Sequence, residues 1–367
     1  MFDLSIKKEE LLPPLLTVSG AVDKKQSLAI LSNFLLRLAN GCLSITATDL
    51  EIEISAQVHC ESTYPEGAIT VPAKKFIDII RSLDENTNPK ITYDQGLLTI
   101  KQGRSSFKLT TLPAENYPST EDQCNEVELS IPRLVLLQLL QSTHFALSQQ
   151  DVRIFLNGLF LEFETNQISA VATDGHRMAI CRYKCENNSQ NKLLLPKKGV
   201  QELLRLLNGI TDETIELTAG KSHLKIVTSQ YTFMSKLIEA RFPPYAKAIP
   251  RAQDKHIVID GAALKKSLAR IVILAHEKSK AVLFHLQPGQ LTLIANNNEQ
   301  EEAVETLIAE TEGDEIKIGL NATYLLDVLS HFGDGMIKVS LSTTDSSILI
   351  ESLQHEQYQY IIMPMKI

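Results

Sequence analysis

Residues 71–83 read VPAKKFIDIIRSL, and the pattern returns as LPKKGVQELLRLL over 195–207 and LNATYLLDVLSHF over 320–332. Each has a strand-like entry, a Pro or Asn at the helix start, and apolar residues at helical spacing. These are Phe76, Ile79, Ile80 and Leu83, then Val200, Leu203, Leu204 and Leu207, then Tyr324, Leu325, Val328, Leu329 and Phe332. Three more series recur at the same offset. LSIKKEELLPPLL from Leu4, LSIPRLVLLQLL from Leu129 and IVIDGAALKKSLA from Ile257 each predict a short strand and an amphipathic helix. ITATDLEIEI from Ile45 aligns with AVATDGHRMAI from Ala170 and LIANNNEQEEAVE from Leu293. SFKLTTLPAENYP from Ser106 aligns with TFMSKLIEARFPPY from Thr232 and the closing YQYIIMPMKI from Tyr358. A unit of about 125 residues is an ordinary domain and far longer than a solenoid repeat of roughly 20 to 50. The expected fold is therefore α+β, with three tandem repeats, each of two helices and several alternating strands. The expected domains are 1–124, 125–252 and 253–367, with linkers near Asp122 to Glu126 and Arg251 to Lys255, where apolar periodicity lapses.

With 44% hydrophobic residues, the chain has ample core material. The start, MFDLSIKKEE, has no apolar stretch after a basic beginning, and no window approaches the roughly 18 to 20 apolar residues of a membrane span. A soluble, cytoplasmic protein without membrane contact is expected. Cys42, Cys60, Cys124, Cys181 and Cys185 make an odd set without a C-x-x-C pair, which fits free thiols in a reducing compartment. The net charge of -8 argues at face value against a nucleic-acid partner. Its distribution matters more: residues 126–250 carry 14 basic and 12 acidic side chains, between two acidic thirds.

The stretch VATDGHRMAI, residues 171–180, resembles a catalytic turn. The repeat weakens that reading, because Asp49 and Asn297 stand where Asp174 stands, and Asp or Asn turns a chain through its side-chain oxygen. His176 has neither a nucleophile elbow nor a metal partner at ligand spacing. The run NNNEQEEAVE, with Glu299, Glu301, Glu302 and Glu305, fits no EF-hand loop and reads as a solvated or salt-bridging strand face. A metal-dependent nucleic-acid enzyme, the rival function, needs a carboxylate cluster that no spacing here supplies. Opposite the apolar helix stripes lie Lys74, Lys75 and Arg81, Lys197, Lys198 and Arg205, and Lys265, Lys266 and Arg270, with Lys7, Lys8 and Arg133 on the paired helices. Repeated in three domains, they suggest a shared positive surface that contacts phosphates without reading sequence. The two Met around a Pro in YIIMPMKI suggest an adaptable pocket for apolar peptide side chains.

Taken together, VPAKKF, GRSSFKLTTLPAENYP, QDVRIFLNG, VATDGHR, LPKKGV, SKLIEARFPPY, ANNNEQEEA and YIIMPMKI resemble, in order and spacing, the bacterial beta sliding clamp family, the processivity subunit of DNA polymerase III. The resemblance covers the full chain. It implies three DNA-clamp domains per chain, helices inside and antiparallel sheets outside, in a head-to-tail homodimer that closes a ring around double-stranded DNA. It implies no reaction, cofactor or metal. The DNA-facing positions it implies are Lys25, Lys74, Gln150, Arg153, Lys197 and Lys198. The implied dimer contacts join Lys75, Arg104, Phe107 and Leu109 to Ile273, Leu274, Glu299, Glu301, Glu302 and Glu305 of the next chain. The implied cleft for a short apolar peptide takes Thr173, Gly175, His176, Arg177 and Met178 as one wall, with Gly175 leaving room and His176 and Arg177 offering donors. The rest comes from Leu156, Pro243, Lys247, Ala248, Asn321, Tyr324, Asp345, Ser347, Ile361, Met363, Pro364, Met365 and Lys366. The polymerase III alpha subunit, the clamp loader delta subunit, translesion polymerases and mismatch-repair proteins are its implied partners. Ile154 and Phe155 stand where relatives often carry two Tyr, Ser106 where some carry Arg, Asp345 where an apolar residue is usual, and Lys247 where Arg is usual.

Overall fold

The computed structural model describes residues 2–23, 28–62, 66–118, 127–186, 190–251, 253–333 and 335–366. Lys25, Cys124 and the first expected linker fall outside them. Among the described residues each repeat is built twice from one phrase, a strand, a helix and three antiparallel strands. The helices are α1 (Lys8–Val18) and α2 (Ala73–Ser82), α3 (Arg133–Gln141) and α4 (Lys197–Gly209), and α5 (Gly261–Ile271) and α6 (Ala322–Phe332). Each buries the stripe its apolar spacing dictates. In α4 the buried set includes Val200, Leu203, Leu204 and Leu207, as the periodicity requires. In α2 it is Ala73, Phe76, Ile77 and Ile80, whereas the expected Ile79 is only half-buried. A step of 100° per residue puts Ile79 at the margin of that stripe and Ile77 inside it.

The first compact unit comprises Met1–Leu137 with Lys198–Leu237, and the second Gln138–Lys197 with Ile238–Ile367. Packing therefore does not divide the chain as the repeats do: the middle repeat is shared, because its two sheets extend those of its neighbours. In the first unit, Tyr231–Lys236 pairs antiparallel with Ile52–His59, setting Phe233 opposite Ile54 inside one eight-stranded sheet. In the second, Tyr358–Ile362 pairs with Arg177–Lys184, setting Tyr360 opposite Ala179 inside a nine-stranded sheet. A continuous hydrogen-bonded ladder joins repeats more firmly than a docked surface, since no edge groups are left to water.

Several basic helix residues close helix ends. Lys8 Nζ donates to Leu83 O just beyond α2 at 2.5 Å, and Arg133 Nη1 donates to Leu207 O in the last turn of α4 at 2.8 Å. Arg205 donates to Leu16 O at 2.9 Å and to Thr17 O, at the end of α1. A cation at a helix C-terminus satisfies orphan carbonyls and opposes the helix dipole. These side chains are therefore structural, and the expected positive surface is narrower than the sequence pattern suggests. No helix among the described residues is long and apolar enough to cross a membrane.

Candidate functional site

The turn after strand Gln167–Thr173 follows from its side chains. Asp174 Oδ1 accepts the backbone N–H of His176 at 2.9 Å and of Arg177 at 3.0 Å, while Gly175 N donates to Thr173 Oγ1 at 3.1 Å. The first repeat builds the same turn, Asp49 Oδ1 accepting from Glu51 and Ile52 at 3.0 and 2.9 Å. In the third, Asn297 Oδ1 accepts from Glu299 and Glu301 at 3.0 and 3.1 Å. The shared acid or amide is thus a turn device, as the repeat argues. In the third repeat the positive φ falls at Gln300, 64°, whereas in the first two it falls on the residue after the Asp, 74° at Leu50 and 87° at Gly175. Glycine removes the strain that leucine bears there, and a Cβ on Gly175 would stand 3.1 Å from Arg153 Nη2.

Arg177 is the hub of this face, and here the expectation of a free donor fails. Its Nε donates to Asp174 Oδ2 at 3.1 Å, Nη1 to Asp327 Oδ2 at 2.5 Å and Nη2 to Phe145 O at 2.7 Å. Its Cζ lies 4.5 Å from the Tyr324 ring centroid and 5.3 Å from that of Phe145. A guanidinium only 12% exposed, with three acceptors and two rings, shapes the wall and has little to offer a ligand. Sequence reading missed Asp327 and Phe145. Asp327 had a signal: the same helix position holds Asp78, paired with Arg81 at 3.7 Å, and Glu202, paired with Arg205 at 2.8 Å. In α6 the residue three further on is Ser330, so Asp327 turns to Arg177 instead.

The C-terminal stretch is stitched onto this wall. Met363 N donates to His176 O and Met365 N to Gly319 O, both at 2.9 Å. Met363 is 50% exposed, an unbranched, adaptable thioether open to solvent. A hollow of about 480 Å³ gathers Met363, Pro364, Met365, Lys366 and Asp345 with Leu283, Lys317, Gly319 and Thr344, and a second of about 540 Å³ gathers Lys247, Ala248 and Ser347 with Ile249, Pro250 and Arg251. His176 and Pro243 are exposed, and Met178 is half-buried. Leu156 and Ile361 are buried at 2% and 4%, so neither lines the surface, and Ile361 belongs to a core against which Met178 packs. Thr173 is likewise buried, its hydroxyl donating to Arg177 O at 2.7 Å. Asn321 spends its side-chain oxygen as the α6 cap, accepting from Thr323 N at 2.9 Å and Tyr324 N at 3.4 Å.

Among the expected DNA-facing residues, Lys74 and Gln150 are exposed. Arg153 is held by Asp151 through two bonds of 2.9 Å, and that pairing keeps the Asp151 carboxyl at about 2. Lys198 pairs with Asp49. Lys197 Nζ donates to Ser148 O at 3.3 Å, and burial, with the nearby Arg177 charge, holds its amine below the usual lysine range. Among the expected dimer residues, Lys75, Arg104, Glu299, Glu301 and Glu302 are exposed, Phe107 and Leu274 are half-buried, and Ile273 is 75% exposed. Leu109 is 8% exposed and belongs to its own core. Glu305 is gripped within the chain by Arg270, whose Nε and Nη2 donate at 2.5 and 2.6 Å. No cluster of three or more His, Cys, Asp or Glu among the described residues is arranged to hold a metal.

Comparison with known families gives three consecutive matches. Residues 2–121 match the DNA polymerase III beta subunit N-terminal domain, 130–244 the central domain and 246–366 the C-terminal domain. The chain belongs to the DNA polymerase III beta subunit family. It is 39% identical over 365 residues to the beta sliding clamp of Pseudomonas putida, covering 99% of both chains. It is 40% identical over 364 residues to that of Haemophilus influenzae, again covering 99% of both. The crystal structure of the Pseudomonas aeruginosa beta subunit superposes with a TM-score of 0.96 at 38% identity over the whole of both chains. The same TM-score, identity and coverage hold for a Pseudomonas aeruginosa sliding clamp bound to griselimycin.

Proposed function

We propose that this beta subunit is a non-catalytic DNA sliding clamp, with domains 1–124, 125–252 and 253–367. Two chains close head to tail around duplex DNA and hold partner proteins at the face formed around Arg177 and Met363. The observation that carries the ring is a pair of unpaired edges. Strands Tyr231–Lys236 and Tyr358–Ile362 each close a repeat by pairing with the preceding repeat. Among the described residues, their counterpart in the first repeat, Ser105–Thr110, pairs with Leu97–Gln102 alone. The counterpart of their acceptors, Glu302–Ile308 in the third repeat, pairs among the described residues with Gln290–Asn296 alone. Carrying over the internal register sets Phe107 opposite Ala303 of the partner, and Lys108 opposite Glu302. Val304 and Ile308, at 53% and 94% exposure, are apolar residues on an open edge strand that such pairing covers. Because a head-to-tail contact occurs twice, it closes a dimer.

A closed ring needs no strong phosphate contact, so exposed Lys74 and Gln150 suffice as mobile, sequence-independent contacts. Such a ring works beside DNA in the cytoplasm. The polymerase III alpha subunit, the clamp loader delta subunit, translesion polymerases and mismatch-repair proteins share the cleft and compete for it. Asp345 and Lys247 at its rim adjust which peptides are preferred. Griselimycin, which the Pseudomonas aeruginosa clamp binds, is the probe for that cleft. Met363→Ala with Met365→Ala removes the adaptable apolar floor. At about 1.5 kcal/mol per methionine, the pair weakens griselimycin binding roughly 100-fold by calorimetry while the dimer mass stays unchanged. Affinity within about twofold of the parent rejects the cleft assignment.

A further inference from the structure

Behind the Arg177 wall lies a histidine pair that binding at the wall does not need. His331 sits on α6 one turn beyond Asp327, and its ring stacks on Phe145 at 4.7 Å and 12°. Phe145 in turn supplies the carbonyl for Arg177 Nη2 at 2.7 Å, so His331, Phe145 and Arg177 form one packed column beside Asp327. His144 lies edge-on to His331 at 6.3 Å. Its Nδ1 is 3.2 and 3.1 Å from the carbonyl oxygens of Leu140 and Gln141, which can only accept, so Nδ1 is the donor.

We infer that protonation of His331 loosens the Arg177 wall and weakens partner binding there, making the cleft pH-sensitive; the inference rests on reading this face as the partner cleft. The charged and titratable groups facing His331 are Asp327 on its own helix, Lys265 on α5, His144 after α3, and Arg177 across Phe145. Burial, then His144, push the His331 imidazole below its ordinary value, Asp327 opposes them, and Lys265 adds to the depression. The ring is therefore neutral at pH 7.5. Once protonated it competes with Arg177 for the Asp327 carboxylate and adds a second cation to the column. The sign follows: the wall is intact above the ordinary histidine value of about 6.5 and is lost as pH falls through the depressed one.

Griselimycin binding by the full-length protein is measured calorimetrically at pH 7.5 and 5.5, beside His331→Phe, which keeps the stack and cannot protonate. Hydrogen exchange of residues 174–178, corrected for intrinsic rate, is followed without ligand at both pH values. The expected result is an affinity loss of at least about fivefold at pH 5.5 in the parent, with faster exchange of the turn, and neither change in the variant. A loss that persists in His331→Phe comes from another group and overturns the assignment, as does a parent indifferent to pH. His331→Gln replaces the Phe variant if that fails to fold. Absence of griselimycin binding at pH 7.5 rejects the cleft itself, and the exchange comparison then decides on its own: pH-independent exchange overturns the coupling.

Discussion

Arg177→Ala lowers the stability of the second unit by about 2–3 kcal/mol, the cost of breaking part-buried, charge-assisted bonds, discounted from the fully buried case because Asp327 is 39% exposed. The guanidinium pairs with both Asp174 and Asp327, satisfies Phe145 O, and lies against Tyr324. Truncation leaves two carboxylates and a carbonyl facing a void. Arg177→Lys recovers little, because one ammonium cannot span three acceptors arranged around a planar fork. Leucine in place of both Arg177 and Asp327 leaves only one stranded carboxylate, Asp174, and fills the space with apolar atoms, so the double variant is more stable than Arg177→Ala. Chemical denaturation of the three variants gives the order directly. A loss below about 0.5 kcal/mol for Arg177→Ala, the range of ordinary surface changes, contradicts the hub.

Ile273→Ala with Leu274→Ala converts the dimer to monomer. Ile273 is 75% exposed and Leu274 half-buried in the 3-10 turn Val272–Leu274 after α5, an apolar step close to the acidic edge strand. At about 2 kcal/mol per truncated anchor, and with both contacts of a closed ring affected, the dimer loses about 8 kcal/mol, between five and six decades of affinity. Light scattering at low micromolar protein is expected to give the mass of a single chain. An intact dimer there rejects this interface.

The repeat and its six helices are legible in the sequence because helical periodicity survives in each copy. The turn at Asp49, Asp174 and Asn297 is legible for the same reason, since a short polar side chain that caps its own turn needs no distant partner. What escapes is set by residues far apart in the chain. That Tyr231–Lys236 extends the sheet of the first repeat, splitting the middle one, depends on which edge meets which, and alternation looks the same on either edge. Arg177 reads as a free donor until Asp327, 150 residues away, closes on it. Leu156 and Ile361, expected on a surface, are buried: an apolar residue reads alike in sequence whether it lines a surface or sits one layer beneath it.

Topology separates a ring on DNA from a protein held by charge alone. The protein is loaded onto nicked circular DNA with a compatible clamp loader and ATP, passed over a sizing column at high salt, and the circle is then cut. A ring stays on the circle through the salt and leaves once the DNA has ends, whereas phosphate contacts alone weaken steeply with salt. Protein that is lost from the intact circle, or that remains equally bound after cutting, contradicts the ring.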